Sequence, residues 1–214
     1  MWFLFRLLIR LLLRLLPLAL VLYAWQWYLE RYSGRGPMPY SQRAILHSPL
    51  RFLVHPVRRT LERSHVVPDA TVLEIGPGTG YFSVEASRRI GSGGRLICLD
   101  IQRPMLVDLA ERLRDAGATA DLILGDATHL PLADDSVDTA YLVTVLGEIP
   151  DRPRALVELR RVLRSGGVLS FTEHLTDPDY QLEGTVRDVC RASGFEPLDH
   201  FRGLLGYTMS FTSP

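Results

Sequence analysis

From Ala70 to the C-terminus, short apolar runs alternate with stretches whose apolar residues recur every three or four positions. The runs TVLEI (71–75), RLICLD (95–100), DLILG (121–125), DTAYLVTV (138–145) and GVLSFTE (167–173) have strand length. They are apolar almost throughout, as strands buried on both faces are. Helical periodicity falls near 80–90, 103–116, 151–164 and 185–193. The closing stretch, FEPLDHFRGLLGYTMSFTSP, reads as a β-hairpin pair. Regular alternation of such strands with helices predicts an α/β fold: an open, mostly parallel sheet with helices on both faces. Ligands of these sheets sit at the carboxyl ends of the strands. Glu74, Asp100 and Asp126 are the acids that fall there.

The pattern before Ala70 is different. In MWFLFRLLIRLLLRLLPLALVLYAWQWYLERYSGRGP, Arg6, Arg10 and Arg14 recur every four residues. On a helix they form one stripe on a Leu, Phe and Ile cylinder. The uncharged run from Leu15 to Leu29 reaches about 22 Å, short of a hydrocarbon core of about 30 Å. Tyr23, Trp25, Trp27 and Tyr28 gather at its far end, at head-group depth. A cleaved signal peptide lacks a small-x-small site here. A single span would carry the three Arg to the far side, against the usual charge bias. A monotopic helix, or a re-entrant bend at Pro17, leaves the Arg stripe among head groups. Residues 1–32 are therefore expected to be an apolar membrane-associating helix that meets lipid. The Gly/Pro-rich SGRGPMP (33–39) reads as a linker. Beyond it, Ile45, Leu46, Leu50, Leu53, Val54, Val57 and Leu61 give a helical pattern that Pro49 and Pro56 interrupt. Residues 33–65 are read as linker and helical lid, and 66–214 as the domain they cover.

Composition sharpens this division. Hydrophobic residues are 47% of the 214 and charged ones 22%, ordinary for a globular core. The net charge of zero conceals ten Arg against Glu30 and Glu62 in residues 1–63, and fourteen Arg against 22 acids after them. A basic arm on an acidic body suits lipid head groups. It is too apolar for a phosphate-tracking surface, so nucleic acid is disfavoured as a partner. Every basic residue is Arg, which excludes lysine Schiff-base chemistry and a P-loop lysine. Cys98 and Cys190 are isolated and read as buried, reduced thiols. The histidines lack metal-ligand spacing, and no metal is expected.

The first strand runs into EIGPGTGYF. Gly76, Gly78 and Gly80 allow a sharp turn and close approach to a ligand. Tyr81 stands where the dinucleotide fingerprint needs its third glycine. Glu74, two residues before the first glycine, would repel a pyrophosphate at the mouth of the loop. It suits a phosphate-free cofactor bearing an ammonium and a sulfonium, such as S-adenosylmethionine. Asp100, twenty residues beyond Gly80, can accept hydrogen bonds from a ribose diol. Asp126 can accept one from the adenine amine. Each acid alone is readily a helix cap or loop residue; three at consecutive strand ends beside this loop make a site.

Residues 66–175 resemble the class I S-adenosylmethionine-dependent methyltransferases, in the group that includes the ubiquinone/menaquinone C-methyltransferases. VLEIGPGTGYF is similar to the family's first motif and LICLDI to its second. GDATHLPLADDSVDTAYL is similar to its adenine-side segment and fourth strand, and ALVELRRVLRSGGVLSFTEH to its next helix, Gly-Gly turn and fifth strand. The resemblance implies a Rossmann-like seven-stranded sheet of order 3-2-1-4-5-7-6 with strand 7 antiparallel. It implies that Glu74 orients the methionine ammonium. Gly76, Pro77, Gly78, Thr79 and Gly80 would border methionine and ribose, and Asp100 with Ile101 would hold the ribose side. Asp126 and Ala127 would read adenine, and Thr144 would lie under the methionine end. The product would be S-adenosylhomocysteine. Glu173 and His174 resemble a short motif of the membrane-associated thiol methyltransferases, which leaves a thiol acceptor as an alternative.

Methyl transfer from a sulfonium is an in-line displacement in which the protein mainly aligns the partners. Alignment contributes up to about 7–11 kcal/mol, and a base is needed only for an acceptor that arrives protonated. Tyr40, Tyr81, Glu148 and His174 are the acceptor-side candidates, and none is assigned as catalyst. Glu148 either meets a cation or caps the helix after Pro150. No long insertion follows the fourth or fifth strand, so the 40–65 segment is the remaining cover. The expected acceptor is small and apolar or membrane-borne: a lipid, a quinone or a hydrophobic small molecule. The domain is expected on the cytosolic side of the membrane. Two other classes compete: an NAD-type oxidoreductase, disfavoured by Tyr81 and Glu74, and a non-catalytic membrane-bound adaptor, disfavoured by the intact constellation.

Overall fold

A computed structural model describes residues 2, 6, 16–19, 21–25, 36–47 and 56–214. Arg10, Arg14, Leu15, Trp27, Tyr28, Pro49 and the apolar positions from Leu50 to Val54 lie outside the described residues. The chain divides into two compact units, Met1–Arg35 and Gly36–Pro214. In the first, residues 16–19 and 21–25 are helical, with Leu16, Leu18, Val21, Leu22 and Trp25 exposed. The guanidinium of Arg6 lies 5.7 Å from the Trp2 ring centre. Among the described residues no helix is long and apolar enough to cross a membrane.

The second unit holds α1 (Val57–Arg63), β1 (Thr71–Ile75), α2 (Ser83–Ile90), β2 (Arg95–Asp100), α3 (Arg103–Ala116), β3 (Asp121–Leu124), β4 (Val137–Val143), α4 (Arg152–Val162), β5 (Leu163–His174), α5 (Glu183–Ala192), β6 (Glu196–Arg202) and β7 (Gly206–Thr212). Turns of 3-10 helix span Tyr40–His47 and Leu146–Glu148. The seven strands form one sheet of order β3-β2-β1-β4-β5-β7-β6. The first five are parallel, and β7 is antiparallel to both its neighbours. This is the Rossmann-like methyltransferase arrangement expected from the sequence.

Alternation along the strands sends side chains to two cores. Leu73, Ile75, Ile97, Leu99 and Leu142 pack with α4 and α5 through Leu156, Leu159 and Val186. Val72, Cys98, Tyr141 and Val143 pack with α1, α2 and α3 through Leu61, Ala86 and Leu109. Pro56 precedes α1 and starts it, as proline at a helix boundary does. Serine hydroxyls bind α1 across the sheet: Ser170 to Ser64 at 3.1 Å and Ser210 to the Arg63 carbonyl at 3.1 Å.

Among the boundaries that differ from the periodicity, two bear on the site. β4 stops at Val143, not 145, because Thr144 takes a left-handed φ of 54°. β5 begins at Leu163, four residues before the expected start, with irregular pairing to β4 there.

Candidate active site

The loop after β1 turns on Gly76 and Gly80, at φ of 66° and 84°. Both also admit a close neighbour. A methyl on Gly76 would fall 2.6 Å from Val145 Cγ2, and one on Gly80 would overlap Leu109 of α3. These glycines let the loop press against the turn after β4 on one side and against α3 on the other.

Glu74 is on the sheet face shared with Cys98 and Tyr141, its register partners on β2 and β4. Its carboxyl is buried beneath the loop. The Ser83 hydroxyl, at the start of α2, donates to Oε2 at 2.6 Å, and the Cys98 thiol lies 3.5 Å from the same oxygen. Burial pushes the acid up to about 7, against the lowering effect of the Ser83 hydrogen bond. The structure thus puts Glu74 under the glycines, where the sequence suggested a carboxylate facing their mouth. The side chain of Ser83 serves Glu74, and no side chain caps α2.

Asp100 ends β2, almost fully buried. Its Oδ2 accepts from the Gly78 N–H at 3.2 Å and its Oδ1 from the Gln102 N–H at 2.8 Å. Burial raises its pKa, and the backbone donors oppose that rise. Beside it Ile101 is 54% exposed. Thr79, in the same loop, is buried with a hydroxyl that has no hydrogen-bond partner among the described residues. Burying an unsatisfied hydroxyl costs roughly 1–3 kcal/mol, which a polar ligand in the loop would offset. That orphaned oxygen, the acceptor Asp100 and the apolar Ile101 fit a nucleoside carrying an amino-acid tail.

On the third strand's side, Asp126 is exposed and its Oδ1 accepts from the Thr128 N–H at 2.8 Å, with Ala127 buried between them. α4 grips this segment. Glu158 accepts from the Leu130 N–H at 2.9 Å, and Arg161 donates to the carbonyls of Leu130 and Leu132. Thr144, whose N–H donates to the Thr172 carbonyl at 2.8 Å, holds the ends of β4 and β5 together. A branched residue with positive φ stores roughly 1–3 kcal/mol of strain, here placed at the ligand edge.

A second group of acids lines the ends of β4 and β5. Glu148, in the turn after β4, is pushed up to about 8 by burial, then by Asp177, while the Met38 N–H favours its charged form. Glu173, buried near the end of β5, accepts from the Gln181 N–H at 3.1 Å. It too is pushed up to about 8 by burial and by Asp177, with Arg152 opposing. Glu148 does not cap the next helix: Asp151 does, accepting from the Arg154 N–H at 3.1 Å. His174 ends β5, largely buried, and its carbonyl accepts from the Asp177 N–H.

The remaining candidates separate. Tyr81 packs edge-on against Phe82 at 5.1 Å, with the core under α2 and α3. Tyr40 belongs to a strap. Its hydroxyl donates to Asp108 of α3 at 3.1 Å, and Arg43 lies over its ring and pairs with Asp108 at 3.2 Å. Gln102 Nε2 donates to the Met38 carbonyl at 2.9 Å. With the Met38 N–H directed at Glu148, Met38 bridges the ends of β2 and β4, and the segment continues to α3 through Tyr40 and Arg43. Sequence reasoning missed Met38, Gln102, Asp108 and Arg152; only Glu173 left a signal, in its pairing with His174.

Residues 73–171 match the protein family described as Methyltransferase domain. Over those 99 of its 214 residues the chain is similar to the class I S-adenosylmethionine-dependent methyltransferases. It is 33% identical over 145 residues to the ubiquinone/menaquinone biosynthesis C-methyltransferase UbiE of Haemophilus ducreyi, covering 64% of this chain and 56% of that protein. The UbiE protein of Proteus mirabilis is 32% identical over 145 residues, with 64% and 58% covered. The chain therefore spans little more than half the length of these curated relatives. In three dimensions the methyltransferase domain is similar to a SAM-dependent methyltransferase from Aquifex aeolicus, with a TM-score of 0.79 and 19% identity over 83% of this chain and 100% of that one. It is also similar to the [4+2]-cyclase SpnF, with a TM-score of 0.67 and 19% identity over 85% and 87%. A cyclase on the same scaffold shows that the fold alone does not decide the reaction.

Proposed function

We propose that the protein transfers a methyl group from S-adenosylmethionine to a small apolar acceptor, membrane-borne as a lipid, quinone or hydrophobic small molecule is. The observation that carries the cofactor is the buried, unpartnered Thr79 hydroxyl beside Asp100, in a loop whose glycines leave no side chain in the way. The UbiE relatives, named for C-methylation in quinone biosynthesis, support a small-molecule acceptor. The apolar, Arg-bearing residues 1–32 support one that resides in lipid.

The cofactor would supply an electrophilic methyl on a good leaving group. Asp100 and Ile101 would hold the ribose side, Asp126 and Ala127 the adenine side, and Thr79 the methionine tail. Glu74, beneath the loop, would set the start of α2 through Ser83. The 38–43 strap would close the crevice and exclude water. Burial pushes Glu148 and Glu173 up to about 8 in the cofactor-free chain, so near neutrality their protonated forms would donate hydrogen bonds to an acceptor.

The reading is tested with the full chain in two steps. Titration calorimetry with S-adenosylhomocysteine is expected to show binding that Asp100→Asn weakens about 10–100-fold, the loss expected for hydrogen bonds to a charged group. Incubation with lipid extract and isotopically labelled methyl donor is then expected to label a lipid-soluble product by mass spectrometry. An absence of binding, or label confined to water-soluble compounds, counts against it.

A further inference from the structure

The turn between β6 and β7 exposes leucine where hairpins usually expose polar residues. Gly203 donates to the Gly206 carbonyl at 2.7 Å, and the tight turn between them pushes Leu204 out to 94% exposure and Leu205 to 41%. Leu175 and Leu182 join them from the loop after β5, at 51% and 65%. The Leu175 N–H donates to the Leu205 carbonyl at 2.8 Å, and the Tyr207 hydroxyl donates to the Gln181 carbonyl at 2.7 Å, so the loop lies against the base of the hairpin. An ion pair between Arg202 and Glu183 at 2.5 Å fastens β6 to α5 behind this corner.

The position of the corner decides what it can meet. Gly206 pairs with His174, at the carboxyl end of β5. The leucine turn therefore projects from the same edge of the sheet as the glycine loop, Asp100, Glu148 and Glu173. Gly36–Pro214 also begins at this edge, because Met38 is held between Gln102 and Glu148. In sequence, the 35 residues that precede Gly36 are largely apolar and include Arg6, Arg10, Arg14, Arg31 and Arg35. The loop beside the turn carries Asp177 and Asp179, while Glu183 is paired with Arg202. Two copies meeting through this patch would bring like charges together. A bilayer of neutral head groups carries no such penalty and receives leucines at its hydrocarbon boundary.

We propose that the Gly203–Gly206 turn, with Leu175 and Leu182, inserts into a lipid bilayer and holds the acceptor side of the crevice against it. The proposal extends the reading of a membrane-borne acceptor, and it gives that acceptor a lateral route from lipid to the ends of β4 and β5. Insertion is apolar, so it does not depend on anionic lipid, unlike attraction through the arginines of the arm.

The test uses the full chain with Leu204→Cys labelled by an environment-sensitive fluorophore. Cys98 and Cys190 are buried, which directs the label to the turn. On phosphatidylcholine vesicles with spin-labelled acyl chains, emission from position 204 is expected to shift to the blue and fall at least about twofold. The quenching is expected to persist at about 0.5 M salt, where screening shortens to a few ångströms. A label at Ser92→Cys, on the opposite edge of the sheet, is expected to stay unquenched. Vesicle-bound protein whose position 204 remains in water overturns the proposal, and so does a blue shift that grows with protein concentration without vesicles. Affinity for S-adenosylhomocysteine, measured on the same sample, separates the two readings: its absence removes methyl transfer and leaves the quenching result standing.

Discussion

Burial holds the carboxyl of Glu74 up to about 7 and those of Glu148 and Glu173 up to about 8. For Glu74 the ordinary value is 4.5, so the folded chain binds this proton more tightly than the unfolded chain. Its favourable contribution is complete below pH 4.5, is lost as pH rises through 7, and amounts to about 3 kcal/mol for a fully buried group. Glu74→Gln keeps an oxygen for the Ser83 hydroxyl and removes the titration. Its thermal midpoint is expected to fall less steeply than that of the parent chain between about pH 4.5 and 7.5; equal slopes would mean that Glu74 titrates alike in the folded and unfolded chain. The same protons bear on the cofactor. A sulfonium placed near Asp100, which interacts with both Glu74 and Glu148, lowers the pKa values of neighbouring acids. Affinity for S-adenosylmethionine is therefore expected to rise with pH between about 6.5 and 8.5, with proton release seen in calorimetry across buffers. S-adenosylhomocysteine, lacking the sulfonium charge, is expected to show a smaller rise. None of this was readable in the sequence. A glutamate before a glycine turn announces a negative charge, and only the register that buries it between Cys98 and Tyr141 raises its hold on a proton.

At the scale of elements, the sheet was legible because buried parallel strands are apolar along their whole length. β1 and β2 match TVLEI and RLICLD residue for residue, and α3 matches 103–116. What periodicity missed was backbone conformation, such as the left-handed Thr144, and contacts between distant segments. The 38–43 strap is the main case, since nothing in MPYSQR announces a bond to Gln102 or Asp108. Asp108→Ala removes the acceptor of Tyr40 and the ion-pair partner of Arg43 together. Amide exchange across 38–43 is expected to quicken and S-adenosylhomocysteine to dissociate several-fold faster, with little change in thermal midpoint, because these bonds lie near the surface. Gly147 offers a contrasting test on the other side of the crevice. A side chain there would overlap the backbone carbonyl of Asp179, so Gly147→Ala is expected to displace the 175–182 loop. Turnover should fall at least about tenfold while cofactor affinity holds; a parallel loss of both would place this loop on the cofactor side.

For the whole molecule, the charge division acquires a direction. The acidic body, fourteen Arg against 22 acids after residue 63, is repelled by anionic membranes, whereas the first 63 residues, ten Arg against two acids, are attracted. On the proposed reading, a chain so divided would be drawn to a bilayer by its arm and would meet there an acceptor dissolved in lipid. Confinement of two partners to one surface commonly raises their effective concentration into the millimolar range. Turnover of the full chain on a lipid-soluble acceptor is therefore expected to rise roughly 10–100-fold when liposomes carry that acceptor. Deleting residues 1–33 is expected to abolish most of this gain. Because Gly36–Pro214 forms its own compact unit, the shortened chain should keep its affinity for S-adenosylhomocysteine and its residual rate on dispersed acceptor. The remaining gain should be insensitive to salt if the leucine turn supplies it, while the part lost with the arm should be larger on anionic vesicles and weaken as salt rises. A shortened chain that works as fast on liposomes as the full one would show that the arm does not deliver the domain to its substrate, whatever membrane it binds.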